Sequence, residues 1–97
     1  MLNDRFGTNF TDEDRFFFEQ IRAKATSNEQ VIKLRRANPF DKFQLGMRQL
    51  IEDMMVQRMT DNDKIVTRYM DDKDFGNTAF DALSRAIYEA IPKTESA

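Results

Sequence analysis

The chain has 97 residues, no histidine and no cysteine, and a formal net charge of −2. The missing side chains exclude Ser-His and Cys-His nucleophilic catalysis, thiol redox chemistry and ordinary zinc sites, leaving carboxylates, Lys or Tyr for any acid–base role. No apolar run approaches the ~20 residues of a membrane-spanning helix, and the length suits a single domain with one modest core.

Residues 1–9 show no periodicity and include Gly7; they read as a linker or an artificial start. A single helical domain is expected over 10–92. The first helix should begin at Thr11, whose hydroxyl can cap while Asp14 answers three residues on, in a capping box with Asp in place of Glu. Asp12, Glu13 and Asp14 suit the positive end of that helix. Phe17, Ile21 and Ala25 share one face, flanked by Phe18. Phe16 cannot join them, because three neighbours at ~100° each spread over most of a helix circumference. Either the helix is covered on two sides, or the Phe16 ring is exposed for a partner.

A second start is expected at Ser27, with Gln30 at the box position. That helix carries Val31 and Leu34 and should stop before Pro39, since proline disfavours a helical residue ahead of it. Asn38 is expected to cap a third helix with Pro39 in its first turn. Phe40, Phe43, Met47, Leu50 and Met54 then recur at steps of three and four, with Ile51 and Met55 widening the stripe. That period is helical, and the element would run about 30 Å at ~1.5 Å per residue. Gly46, inside it, should cost about 1 kcal/mol against Ala unless another helix approaches closely there. Thr60 with Asp63 repeats the capping pattern for a short fourth helix bearing Ile65, Val66, Tyr69 and Met70. Asp71 or Asp72 should cap the fifth, which places Phe75, Ala79, Leu83, Ile87 and Ile91 at steps of four and ends at Pro92. Residues 93–97 read as a frayed tail. No strand or hairpin signal is present. The expected fold is all-α, an irregular antiparallel bundle of about five helices. Its core should hold Phe17, Ile21, Phe43, Met47, Leu50, Ile51, Met54, Ile65, Tyr69, Phe75, Leu83 and Ile87. The six methionines suit either that core or an adaptable binding groove.

Charge is distributed unevenly. Residues 22–48 hold seven bases and two acids, a local +5 between two acidic ends. The bases either pair with acids in the folded domain or form a basic face for an acidic partner or a phosphate backbone. Lys33, Arg35 and Arg36, with Lys42 and Arg48, form the densest cluster. With Phe16 they are the candidate partner-binding residues. Aromatics interleaved for base stacking are lacking, so specific base readout is not expected. The acidic clusters Asp71, Asp72, Asp74 and Asp61-Asn62-Asp63 do not follow the twelve-residue calcium-loop pattern and read as helix caps. The three glycines are isolated, and none forms a phosphate-binding loop. No catalytic, cofactor-binding or metal-binding residue is expected.

One longer pattern remains. It starts with Phe10-Thr11-Asp12-Glu13-Asp14 and Phe17-Phe18-Glu19-Gln20-Ile21, then Ala37-Asn38 with Asp41-Lys42-Phe43. It continues through Gln57-Arg58-Met59, Asn62-Asp63, Ile65, Tyr69-Met70-Asp71-Asp72 and Phe75, and closes on Ile87-Tyr88-Glu89-Ala90-Ile91. In this order and spacing, residues 10–91 resemble the C-terminal helical domain of the restriction (R, motor) subunit of type I restriction–modification enzymes. Before Asn38 the chain departs from that family, with Arg35-Arg36 where the family is more apolar.

The resemblance implies an excised C-terminal domain with an added Met1, not itself an enzyme. It would come from a bacterial, cytoplasmic, ATP-dependent DNA translocase and site-specific endonuclease that uses ATP and Mg2+ elsewhere in its chain. It implies a role in assembly with the methyltransferase core of M and S subunits, alongside the other domains of the R subunit. DNA contact is expected to be at most weak and non-specific, and membrane contact is not expected. Two alternatives stand beside it: a DNA-contacting module that guides duplex past the motor, and a small stand-alone helical protein-binding adaptor. The absent cysteine also fits a reducing compartment.

Overall fold

The computed structural model describes residues 10–92, apart from the Asp61 side chain. The linker expected at 1–9 and the frayed tail expected at 93–97 lie outside the described residues. Five helices follow one another: α1 Asp12–Thr26, α2 Glu29–Ala37, α3 Phe40–Gln57, α4 Met59–Asp71 and α5 Lys73–Ala90. There is no strand among the described residues, so the protein is an all-α bundle. The connections are only one or two residues long, which folds each helix back on its predecessor.

The two longest helices, α3 and α5, form the centre. α3 packs against all four others, and α5 packs against α1, α3 and α4. α3 buries Phe43, Met47, Ile51, Met54 and Met55. α5 buries Phe75, Ala79, Phe80, Leu83 and Ile87 among others. Each large side chain sealed there contributes about 1.5–3 kcal/mol of hydrophobic transfer. Phe10 and Phe18 meet Phe75 at 5.9 and 6.0 Å, which joins the start of α1 to α5. Ten of the twelve expected core positions are buried, while Leu50 and Ile65 are only half-buried. In α4 the buried line runs through Val66 and Tyr69 instead.

The capping box of α1 forms as expected: Asp14 N–H donates to Thr11 Oγ1, and Thr11 N–H donates to the Asp14 carboxylate. Three other caps differ from expectation. α2 is capped by Asn28, whose side-chain oxygen accepts from both Gln30 and Val31; Ser27 instead donates back to the end of α1, to Lys24 O at 3.1 Å. Asn38 likewise serves the helix behind it, donating to Leu34 O at 3.0 Å, and Pro39 holds the N-cap position of α3. Thr60 caps nothing. α4 already begins at Met59, and it kinks at Asn62, whose side chain donates to Arg58 O. Asp72 caps α5 by accepting from Phe75 N–H.

Two glycines mark close approaches. A Cβ on Gly76 would lie 2.4 Å from the carbonyl oxygen of Tyr69, because Asp72 alone joins α4 to α5. On Gly46 it would meet only the Leu34 side chain, at 2.8 Å.

Candidate functional site

The six candidate partner-binding residues separate into different environments. Phe16 points outward from α1 and is 69% exposed, so the helix is not covered on that side. Its neighbours Phe17 and Phe18 are fully inside. The open alternative for the Phe triplet therefore resolves in favour of an exposed ring.

Arg35 turns inward, which corrects its assignment to a basic surface. It is 9% exposed. Its Nε–H is shared between the carbonyls of Tyr88, at 2.8 Å, and Ile91, at 3.0 Å. The guanidinium lies 3.6 Å from the centroid of the Tyr88 ring. These carbonyls belong to the C-terminal end of α5, where backbone acceptors lack helical partners and the dipole is negative. Arg35 is thus a cap supplied by α2 to a helix more than fifty residues away. Arg36 beside it is half-buried.

Lys33 and Lys42 remain exposed, and neither makes an ion pair among the described residues. Lys33 lines a shallow groove of about 420 Å³ between α2 and α3. Its floor is Leu34, Ala37, Gly46 and Leu50, with Gln30, Lys33 and Asn38 along the α2 edge. Lys42 stands one turn before Gly46 on the same face of α3. Leu45, next to Gly46, is 74% exposed. Phe16 is not part of this groove.

Sequence reasoning missed Leu45 and the role of Gly46 as a groove floor. Leu45 lies off the α3 core stripe, and that was the available signal; a large apolar residue off-stripe has no core to enter. Arg48 goes elsewhere, with its guanidinium 4.2 Å from the centroid of Phe80.

A half-buried polar contact joins α3 to α5. Gln44 donates to Asp81 and to Ser84 Oγ, both at 2.9 Å. The Ser84 hydroxyl in turn donates to Asp81 O. No metal-binding group of three or more carboxylates occurs among the described residues. No described helix is long and apolar enough to cross a membrane.

No family model, curated protein or solved structure matches the chain.

Proposed function

We propose that this chain is a non-catalytic assembly module that docks a partner helix along the α2–α3 groove. The observation that carries the reading is an apolar groove left open between two helices, one of which also carries the exposed Leu45. Exposing Leu45 and the Leu34–Leu50 floor to water is unfavourable unless something covers them. Lys33 at its edge, and Lys42 a turn before Gly46, select the chemistry of the occupant: an amphipathic helix with apolar anchors and flanking carboxylates. The resemblance of residues 10–91 supplies an identity for that occupant, the M and S methyltransferase core of a type I restriction enzyme. On this reading the chain is the C-terminal domain of the motor subunit in the bacterial cytoplasm. ATP and Mg2+ act elsewhere in the parent chain, which would be the ATP-dependent deoxyribonuclease.

Calorimetric titration of the chain into a reconstituted methyltransferase core, with duplex DNA as a parallel titrant, tests this. Saturable binding to the core, weakened at least tenfold by Leu45→Ser or by Lys33→Glu with Lys42→Glu, is the expected result. These positions are exposed, so the variants should fold as the parent does. Binding to DNA alone, falling steeply with salt, would overturn docking in favour of duplex guidance. Unchanged binding to the core in both variants would reject the groove.

A further inference from the structure

The fifth base of the central cluster, Arg48, faces a different feature. A partly enclosed cleft of about 150 Å³ lies where α3, α4 and α5 meet, lined among others by Arg48, Glu52, Tyr69, Lys73, Gly76 and Asn77. Neither Arg48 nor Lys73 makes an ion pair among the described residues, although both are charged and Glu52 is on the same wall. Arg48 is held in place from behind by its stacking on Phe80. Tyr69 is only 7% exposed, yet its hydroxyl has no hydrogen-bond partner among the described residues. The ring is buried while the hydroxyl oxygen stays accessible from the cleft, where it can donate to a ligand. Burial pushes its pKa up to about 12, with Glu52 adding to the rise and Arg48 opposing it. The phenol therefore remains a neutral donor at physiological pH. Gly76 contributes no side chain, which leaves room beside Tyr69.

The donors in this cleft are a guanidinium, an ammonium, a phenol and a carboxamide. Together they match the several acceptor oxygens of a small tetrahedral oxyanion. Glu52 is the discriminating member, since an ionised carboxylate only accepts. An oxyanion beside it must bring a proton of its own. Hydrogen phosphate carries a P–OH at neutral pH, whereas sulfate carries none. We propose that this cleft is a binding site for inorganic phosphate in its hydrogen-phosphate form, selective against sulfate. Arg48 and Lys73 supply the charge, Tyr69 and Asn77 donate, and Glu52 accepts the hydrogen bond of the phosphate P–OH, which keeps its proton.

The test is a titration of the isotopically labelled 97-residue chain, at constant ionic strength and pH near neutrality. Its readout is the backbone amide of Gly76 and the side-chain amide of Asn77. Phosphate should shift both signals along saturable curves, while sulfate leaves them in place. Arg48→Met and Tyr69→Phe should each weaken phosphate binding about tenfold or more, as expected for removing a hydrogen bond to a charged group. Glu52→Gln, whose amide can donate, should admit sulfate. Tyr69→Phe keeps the buried ring, so its loss of binding would not reflect unfolding. Equal responses to phosphate and sulfate in the parent, or an unchanged phosphate curve in Arg48→Met, would overturn the proposal.

Discussion

Removing the Arg35 side chain should destabilise the bundle far more than removing an ordinary surface arginine. Its Nε–H makes a bifurcated, charge-assisted bond to Tyr88 O and Ile91 O, a class of interaction that contributes about 1.5–3 kcal/mol. The guanidinium over the Tyr88 ring adds about 0.5–2 kcal/mol. Its position at the negative end of α5 adds about 0.3–1 kcal/mol. Against these stands the burial of a cation whose Nη1 has no hydrogen-bond partner among the described residues, a desolvation cost of several kcal/mol. Truncation does not simply recover that cost. It leaves two C-terminal carbonyls without their donor and a void beside Tyr88. Arg35→Ala should therefore cost about 2–4 kcal/mol.

Arg35→Met retains most of the stem and should cost about half as much. Arg35→Lys keeps the charge but loses the planar stack, and should fall between the parent and alanine. Urea denaturation followed by circular dichroism reads all three. The alanine variant should lower the midpoint by about 1 M or more, with the slope unchanged. An Arg35→Ala midpoint within experimental error of the parent would refute the inward cap. The result also bears on docking: a variant at Arg35 would lose partner binding through lost folding, so Lys33 and Lys42 are the proper probes of the groove.

Three further outcomes follow from the packing. Gly76→Ala should destabilise by about 1–3 kcal/mol, because its Cβ would meet the backbone carbonyl of Tyr69. Gly46→Ala should be nearly neutral in the same urea assay, since the Leu34 side chain can rotate away and alanine gains about 1 kcal/mol of helix propensity. Asn28→Ala should cost about 1 kcal/mol by thermal melting and Ser27→Ala clearly less, as only Asn28 accepts from two orphan amides of α2. Finally, burial pushes the Tyr69 phenol up to about 12, against an ordinary value of 10. The unfolded chain therefore releases this proton first. The associated stability is fully present below pH 10 and declines as pH rises from about 10 towards 12, by up to about 3 kcal/mol. Urea midpoints across that window should fall less steeply in Tyr69→Phe; an identical slope would contradict the shift.

The helices were legible because their signals are local. A stripe such as Phe43, Met47, Leu50 and Met54 needs only chain spacing to declare a buried face. Four of the five caps were legible to within one residue, the exception being Thr60, and the misses before α2 and α3 have a common cause. Ser27 and Asn28 are adjacent capping residues between adjacent helices, as are Asn38 and Pro39, and each pair can be divided two ways. The carboxamide of Asn28 reaches two amides at once and takes the N-cap, which leaves Ser27 to close the helix before it. Asn38 is drawn backward for a related reason, because Pro39 already supplies extended geometry at the start of α3. Gly76 and Arg35 were not legible at all. Their roles depend on a backbone carbonyl and a helix end that arrive only after tertiary folding.

The basic segment shows why a charge count alone could not assign the surface. Its local excess is spent on different tasks that no stretch of sequence separates. Arg22 pairs with Glu19 on its own helix, at 2.8 Å. Arg35 is consumed inside, Arg48 is pinned over Phe80, and Lys33 lines the groove with no ion pair among the described residues. A surface that tracks duplex DNA needs a run of cations spaced to follow successive phosphates, since affinity scales with the number neutralised. One lysine on the rim of an apolar groove, with Lys42 outside its lining, does not form such a run. That arrangement suits a partner whose binding energy comes from apolar contact and whose carboxylates set its register. If so, raising the salt should slow association with the methyltransferase core while changing the dissociation rate little, because rim charges act mainly on encounter. A dissociation rate that rises steeply with salt, measured by stopped-flow displacement, would instead place the lysines at the energetic centre of the contact and remove the apolar groove from it.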